Sequence, residues 1–153
     1  MTLAYGHQAP DFTLETTEGE KTLAGMLQDG PAVLIFYTED STPTCTTQVC
    51  SFRDEFQTLR DLDATVLGIS ADSIESHRRF AEQQGIPFPL ASDETLEVAR
   101  KYDVVAEDGK RARRAVFVVR EDGTILAAND HYQPADMNQF AEVFAALGNE
   151  PDE

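Results

Sequence analysis

The stretch AVLIFYTEDSTPTCTTQVC, residues 32–50, joins an apolar run to a capped helix start and contains both cysteines of the chain. Residues 32–37 have the length and apolar character of a buried strand. Thr42 then offers an N-cap residue, and Pro43 is a proline at the first helical position. The pattern predicts a helix that begins at Pro43 and continues to about Leu62.

Cys45 lies in the first turn of this predicted helix. It precedes Val49 by four residues, on the apolar stripe that Phe52, Phe56 and Leu59 continue, so we expect it to face inward. Unpaired N–H groups and the positive end of the helix dipole favour an anion in the first turn, which lowers the pKa of a thiol. The position therefore predicts a reactive thiolate, although a cysteine on an apolar stripe can also be an inert small hydrophobe.

Cys50 is the second thiol, five residues further along the same helix. Ideal helix geometry places the two Cα atoms about 8.7 Å apart, whereas a disulfide needs less than about 7 Å. Either the two cysteines never pair, or the start of the helix unwinds when they do.

Length and composition restrict the function. With 153 residues we expect one domain spanning residues 1–153. The sequence has no apolar run long enough for a membrane span, and residues 1–7 lack the features of a signal peptide, so we expect a cytoplasmic protein that makes no membrane contact. In the cytoplasm, two nearby cysteines are catalytic or redox-sensing more often than structural.

The formal net charge of −16 disfavours nucleic acid as a partner, because phosphate binding needs a basic patch. The chain has few lysines and many acidic residues, which suits either a salt-rich cytosol or an ordinary acidic protein. A melting temperature that did not rise with added salt would exclude the halophilic alternative.

The rest of the chain supplies the partners of the central strand. We expect a strand at residues 9–14, a turn at 17–20, a helical turn at Leu23–Leu27 and a buried strand at 64–70, the last completing a right-handed βαβ unit. Strands at 115–120 and 124–129 flank a turn, and a short edge segment, Phe88–Leu90, is limited by its prolines.

Capping residues predict the remaining helices. A capping box formed by Asp72 and Glu75 opens a helix that Gly85 ends. Ser92 caps a helix that reaches about Tyr102, and Asp136 caps a last helix that stops at Gly148. We expect the acidic tail, residues 149–153, to fray. The sum is an α/β protein with a central mixed sheet flanked by helices and an N-terminal β-hairpin, compatible with a thioredoxin-like fold.

These residues resemble a peroxiredoxin of the bacterioferritin comigratory protein or PrxQ branch. The resemblance covers nearly the whole chain and is carried by the following segments: Ala9–Leu14, Phe36-Tyr37, Thr42-Pro43-Thr44-Cys45-Thr46, Leu67–Ser70, Pro87–Asp93, and Arg114 three residues before Phe117. It implies a thiol peroxidase that needs no cofactor or metal, uses peroxides as substrates and is recycled by a thioredoxin-like reductant. Most members of this branch are monomeric.

The resemblance also implies roles for individual residues. Cys45 is the peroxidatic cysteine, Thr42 its hydroxyl partner, and Arg114 the cation that holds thiolate and peroxide. Cys50 matches the resolving cysteine, which would take the Cys45 sulfenic acid into an intrachain disulfide. Gln48 either orients the arginine or is an exposed polar residue of the helix.

Two departures from the family pattern affect the site. The family has a proline where this chain has Thr38, which puts the packing of the loop in question, and the segment between Tyr102 and Arg114 is shorter than in many relatives. Arg113 competes with Arg114 for the cationic role, and the spacing to Phe117 favours Arg114.

Three other classes of protein are compatible with two thiols. A metal-binding module would combine them with some of His7, His77 and His131, but the spacing fits no common zinc pattern and we expect scattered histidines to lie at the surface. A disulfide oxidoreductase would ordinarily use Cys-x-x-Cys, whereas four residues intervene here. A redox-sensing interaction protein would share the thiol chemistry without turnover.

Overall fold

The computed structural model describes residues 5–40 and 42–148, without the side chains of residues 44 and 45. Its elements, in chain order, are β1 (Thr13–Thr16), β2 (Gly19–Thr22), α1 (Leu23–Leu27), β3 (Ala32–Phe36), α2 (Pro43–Asp54), α3 (Phe56–Asp61), β4 (Thr65–Ser70), α4 (Ile74–Gln84), β5 (Leu90–Ser92), α5 (Glu97–Lys101), β6 (Ala115–Val119), β7 (Ile125–Asn129) and α6 (Met137–Gly148). The strand–helix–strand order that the sequence predicts from residue 32 onward is confirmed.

The described strands form one mixed sheet of seven, in the order β2-β1-β5-β4-β3-β6-β7. β4 pairs in parallel with β3 and with β5, and the remaining pairs are antiparallel. All five residues of β3 are buried, as expected for a strand that is covered on both faces. The predicted mixed sheet with an N-terminal hairpin is confirmed.

Helices cover both faces of the sheet because its strands alternate apolar residues between two cores. One core combines Leu34, Phe36 and Phe117 with residues of α1 and α5. The other combines Val33, Ile35 and Val116 with residues of α2, α3, α4 and α6. The carboxyl end of β3 therefore leads directly into a helix that lies on the second face.

The helix start predicted at Pro43 is confirmed, but the helix does not continue unbroken to Leu62. Glu55 leaves the helical conformation, and α3 begins at Phe56. The break allows two aromatic residues to pack in different places: Phe52 lies against Phe140 at 5.1 Å, and Phe56 lies against Phe88 at 5.9 Å between ring centroids.

The predicted capping box at the start of α4 is wrong by one residue. Ser73 is the N-cap, and its hydroxyl accepts a hydrogen bond from the Ser76 N–H. Asp72 instead bonds to the Ser70 hydroxyl and to the backbone N–H of Asp40, a residue 32 positions away. The Asp72 side chain, which the local pattern assigns to the cap, is therefore used in a tertiary contact instead.

The helix predicted from Ser92 to Tyr102 is shorter than expected. Ser92 remains in β5, and α5 begins only at Glu97. The carboxylate of Asp93 accepts hydrogen bonds from the backbone N–H groups of Val98 and Ala99, so it serves the helix start from a distance. Leu96 therefore holds the N-cap position, and the acceptors for the first helical N–H groups come from Asp93 rather than from Ser92.

Two strand predictions also need correction. The segment at Phe88–Leu90 is not at an edge, since β5 lies between β1 and β4. Pro89 directly precedes the strand and contributes only its carbonyl, which accepts from the Gly68 N–H, so its missing donor costs no ladder bond. The first strand begins at Thr13 rather than at residue 9, and the carboxylate of Asp11 caps the N–H groups of Phe12 and Ala24.

Other local signals are confirmed. Gly85 ends α4 with a φ of 64°, a left-handed conformation that glycine adopts without strain. The Asp136 carboxylate accepts from the Asn138 N–H at the start of α6. The tail at residues 149–153, for which fraying was predicted, lies outside the described residues.

Candidate active site

Cys45 is the third residue of α2, directly beyond the carboxyl end of the central strand β3. The Thr46 N–H bonds to the Thr42 carbonyl at 2.8 Å, so the N–H groups of residues 44 and 45 precede the first helical hydrogen bond. This backbone arrangement is the one that the sequence predicts for a reactive thiolate. The inward direction predicted for the Cys45 side chain lies outside the described residues and stays a prediction.

Thr42 occupies the N-cap position with an extended backbone, but its side chain does not cap the helix. Its hydroxyl donates instead to the carbonyl of Glu39 at 3.1 Å, within the loop that precedes α2. Thr38, the residue that replaces the family proline, lies half-buried in the same loop. This loop carries the residues that orient the helix start.

Cys50 lies half-buried in the middle of α2 and is a free thiol. Its Sγ donates a weak hydrogen bond to Oε1 of Gln84 at 3.6 Å. Burial raises the pKa of the Cys50 thiol, partly opposed by the charge of Arg53. Cys50 is therefore protonated near neutral pH. Because both cysteines belong to α2, ideal helix geometry separates their Cα atoms by about 8.7 Å, more than a disulfide allows.

Arg113 and Arg114 differ in how far the fold already uses them. The guanidinium of Arg113 donates to the carbonyls of Asp103, Val105 and Asp130, at 2.8, 3.2 and 3.1 Å. Within residues 5–40 and 42–148, the buried Nε of Arg114 has no hydrogen-bond partner. The guanidinium of Arg113 is thus already hydrogen-bonded to loop carbonyls, whereas the Nε of Arg114 can still donate a hydrogen bond.

Gln48 is fully buried, so the alternative that it is an exposed helix residue is wrong. Its Nε2 donates to the carbonyl of Phe36 at 3.0 Å, which ties α2 to the end of β3. Its Oε1 is buried and has no partner in the described part of the chain. The sequence signal for burial is weak, since a glutamine beside Val49 fits either face of a helix.

The unpartnered atoms of Gln48 and Arg114 lie at the same end of the sheet. Phe36, which Gln48 contacts, is the register partner of Ala115. Alternation along β6 puts position 114 on the face of Val116, which packs in the core that α2 covers. Each of these two atoms is buried without a partner among the described residues, and an unpaired buried polar group is costly unless a ligand or neighbour completes it.

A buried polar network, which the sequence analysis missed, lies next to this loop. The carboxylate of Asp40, a residue 7% exposed, accepts from the Tyr37 hydroxyl at 2.6 Å and from the Ser76 hydroxyl at 2.7 Å. Its Oδ2 also lies 2.8 Å from Nδ1 of His77. Burial raises the pKa of the Asp40 carboxyl, but the hydrogen bonds from His77, Tyr37 and Ser76 outweigh it and hold that pKa below its ordinary value.

His77 is fully buried in α4, which corrects the expectation that the histidines lie at the surface. Its Nε2 lies 2.9 Å from the carbonyl of Ala91 in β5. The signal was available in the sequence, because His77, Phe80 and Ala81 share one helical face. By contrast, His131 is exposed and pairs with Asp130 at 3.1 Å.

The metal-binding alternative gains no support from the predicted cysteine and histidine set. A different trio, Asp40, Asp72 and His77, presents ligand atoms within 4.8 Å of one another. These atoms are already engaged: Oδ2 of Asp72, for example, accepts from the Ser70 hydroxyl at 2.6 Å and from the Asp40 N–H at 2.8 Å. The trio is better explained as a satisfied hydrogen-bond network than as an ion site.

Two cavities differ in their relation to the cysteine helix. A cavity of about 210 Å³ beside the first turns of α2 is lined by Pro43, Thr47, Pro134 and Ala135. A larger one, of about 490 Å³, lies at the opposite end of β4, near Thr65 and Phe88. The smaller cavity borders the same helical turns that contain Cys45 in sequence. Among the helices described, none has the length and apolar character needed to cross a membrane.

Comparison with known proteins gives consistent matches. Residues 5–128 match the model of the AhpC/TSA family. The chain is 38% identical over 133 residues to a protein of Coxiella burnetii named as a peroxiredoxin bcp, covering 83% of this chain and 88% of that one. It is similar to the crystal structure of peroxidoxin BcpB from Mycobacterium tuberculosis, with a TM-score of 0.86, 30% identity and coverage of 95% and 97%. It is also similar to the bacterioferritin comigratory protein of Xanthomonas campestris, studied for alkyl peroxide reduction, with a TM-score of 0.77, 30% identity and coverage of 90% of both chains.

Proposed function

The chain belongs to the AhpC/TSA family and is a peroxiredoxin with a thioredoxin-like fold, and we propose that it reduces hydrogen peroxide and organic hydroperoxides through Cys45. The family and fold predicted from the sequence are confirmed, and thiol peroxidase chemistry is the activity of this family. The observation that carries the residue assignment is the position of Cys45. It is the third residue of a helix that starts with Thr42-Pro43 at the carboxyl end of the central strand.

In the first step the Cys45 thiolate attacks one peroxide oxygen. The S–O bond forms as the O–O bond breaks, sulfur is oxidised to a sulfenic acid, and the departing oxygen leaves as water or an alcohol after taking up a proton. The first-turn N–H groups donate to the peroxide, as does the Thr42 hydroxyl once it turns away from the Glu39 carbonyl, and Arg114 stabilises the transferred charge. The buried Nε of Arg114, which has no partner among the described residues, supports this assignment.

In the second step the Cys50 thiol attacks the sulfenic sulfur, water leaves, and a Cys45–Cys50 disulfide forms. The regular helix and the protonated state of Cys50 support a mechanism in which α2 unwinds first. Unwinding removes the burial that raises the pKa of Cys50 and shortens the separation of the two thiols. A thioredoxin-like dithiol then reduces the exposed disulfide.

The proposal extends to the setting of the reaction. Electrons come from the thiols, so no metal or cofactor takes part. We propose that residues 1–153 work as one domain, as a monomer in the cytoplasm, without nucleic acid or membrane as a partner.

The test follows NADPH consumption through thioredoxin reductase and thioredoxin, with hydrogen peroxide and with an organic hydroperoxide. Cys45→Ser abolishes turnover, whereas Cys50→Ser consumes one equivalent of peroxide and then stops. Arg114→Gln lowers the rate constant for Cys45 oxidation by about 10²- to 10³-fold. Its matched control, Arg113→Gln, lowers the melting temperature and leaves that rate constant nearly unchanged.

The resolving step has a separate readout. After treatment with stoichiometric peroxide, the tryptic peptide that runs from Thr22 to Arg53 contains both cysteines. We expect it to carry an internal disulfide. A sulfinic Cys45 beside a free Cys50 thiol would show that Cys50 does not resolve, and oxidation without sustained NADPH consumption would favour a peroxide sensor over an enzyme.

A further inference from the structure

We propose that the network formed by Tyr37, Asp40 and His77 is the fixed boundary at which the unwinding of α2 stops, so that Asp40 and His77 are positioning residues for the helix start. The inference rests on the proposed function, because it concerns the conformational change that an intrachain disulfide requires. It assigns a role to buried titratable groups that the chemistry at Cys45 does not use.

Asp40 is held by both its side chain and its backbone. The carboxylate is bonded to the end of the central strand through Tyr37 and to α4 through Ser76 and His77. The backbone N–H of Asp40 donates to Asp72, just after β4, at 2.8 Å. Three separate elements of the fold therefore fix one loop residue.

His77 connects this loop to the interior of the sheet. Its Nδ1 lies 2.8 Å from a carboxylate oxygen of Asp40, and its Nε2 lies 2.9 Å from the carbonyl of Ala91 in the interior strand β5. An acceptor oxygen thus lies opposite each ring nitrogen of His77. The Asp40 carboxylate is a buried charge whose hydrogen bonds compensate for its burial, so disrupting the network would leave that charge without compensation.

The contacts of the cysteine helix itself are of a different kind. The Thr42 and Thr47 hydroxyls bond to carbonyls of nearby residues and are exposed, and Cys50 makes one long contact with Gln84. The exception is Gln48, whose buried Nε2 bonds to the Phe36 carbonyl. Water can replace the exposed bonds when the helix opens, whereas it cannot readily replace the bonds of the buried Asp40 carboxylate and the buried His77 ring. The buried bonds that hold the loop therefore end at Asp40, and the helix that can open begins at Pro43.

A fixed boundary has a consequence for the catalytic cycle. The Thr42 hydroxyl donates to the carbonyl of Glu39, the neighbour of Asp40. If Asp40 does not move when the disulfide forms, then reduction lets α2 wind up again from an unchanged starting point. Thr42 and the first-turn N–H groups then return to the same positions after each turnover.

The test compares amide hydrogen exchange in the reduced and disulfide forms of the wild-type protein. We expect amides of residues 46–50 to lose protection by at least about tenfold on oxidation, whereas the amides of Tyr37 and Asp40 keep theirs. Asp40→Asn should make exchange at Tyr37 depend on the redox state. It should also lower kcat/KM for peroxide at least about tenfold more than kcat/KM for thioredoxin. His131→Gln, which breaks an exposed histidine–carboxylate pair, is the control and should change none of these values.

Loss of protection at Tyr37 and Asp40 together with α2 in the wild-type disulfide form would overturn the inference while leaving the proposed function intact. If mass spectrometry finds no disulfide after peroxide treatment, the proposed resolving step fails, and the inference fails with it. Because the wild-type comparison decides the question, a variant that does not fold leaves the conclusion unaffected.

Discussion

Replacing Arg53 by alanine should make the cysteine helix open more easily. The Nη1 of Arg53 donates to the carbonyl of Gln84 at 2.6 Å, and Gln84 is the last residue of α4. This bond connects the carboxyl half of α2 to the negative end of another helix dipole. The neighbouring Asp54, also paired with Arg53 at 2.9 Å, is itself exposed and adds little.

The expected magnitude follows from the geometry. A hydrogen bond from a charged donor contributes about 1.5–3 kcal/mol, and a cation at a helix C-terminus about 0.3–1 kcal/mol. The Arg53 side chain is 32% exposed, so solvent screening reduces their sum. A net loss of about 1–2 kcal/mol, equivalent to a shift of about 5- to 30-fold in the opening equilibrium, is expected.

The assay uses the competition between disulfide formation and further oxidation. After peroxide treatment, the Cys45 sulfenic acid either reacts with Cys50 or takes a second peroxide to become a sulfinic acid. If opening limits disulfide formation, Arg53→Ala raises the peroxide concentration that gives half sulfinic protein by about 5- to 30-fold. Acid quenching followed by mass spectrometry of the peptide that contains both cysteines measures this concentration.

Arg60→Ala is the matched control. Arg60 lies in α3, over the ring of Phe56 at 5.9 Å from its centroid, and its removal changes the net charge equally. It should leave the partition between disulfide and sulfinic acid unchanged. If Arg53→Ala lowers the free energy of global unfolding by the expected amount without changing the partition, Arg53 stabilises the whole fold and does not control opening.

Three further predictions concern stability and reactivity. Gly30→Ala should lower the free energy of unfolding by about 2–4 kcal/mol, because Gly30 has a φ of 140° and a Cβ there would collide with the Asp63 carbonyl. Urea denaturation measures this change, and an unchanged midpoint of the urea unfolding curve would contradict the prediction. Tyr37→Phe should cost about 1.5–3 kcal/mol at pH 7. Hydrogen bonding holds the pKa of Asp40 in the folded protein below its ordinary value of 3.8. The stabilisation by the Asp40 carboxylate is therefore fully present above pH 3.8 and is lost as the pH falls through the lower pKa of the folded state. The destabilisation caused by Tyr37→Phe should vanish in acid for the same reason. Iodoacetamide should alkylate Cys50 more slowly in the native Cys45→Ser protein than in urea at pH 8, because burial raises its pKa; equal rates would refute that reading.

The sequence correctly predicted the helix ends that are determined by neighbouring residues in the chain. Thr42-Pro43 specifies where α2 begins, and Gly85 specifies where α4 ends, because each acts through its own backbone conformation. The same local reasoning places Cys45 in a first helical turn. The start of the candidate site could therefore be predicted without any knowledge of its neighbours.

The errors share one physical cause, which is competition for a side chain by a distant partner. Asp72 and Ser73 are both good caps, and only the position of the Asp40 N–H explains why Ser73 is the one used. Ser92 and Asp93 present the same ambiguity, which pairing in β5 resolves. No pattern within a window of ten residues contains that information.

The burial of Gln48 was likewise beyond a local analysis, and it affects how the helix can open. Gln48, Val49 and Phe52 are all fully buried, and Phe52 contacts the ring of Phe140. Opening that released Phe52 would expose a large aromatic surface at a cost of about 3 kcal/mol, whereas an approach of the two thiols requires a change only between Cys45 and Cys50. Unwinding that starts at the network at Asp40 therefore costs least when the ring of Phe52 stays packed. The bond from Arg53 to Gln84 holds the helical turn that contains Cys50, so it is part of the barrier and Arg53→Ala removes it. The contacts that must break for the thiols to meet are those of Gln48 and Val49, which makes the buried bond from Gln48 to the Phe36 carbonyl part of the barrier to opening.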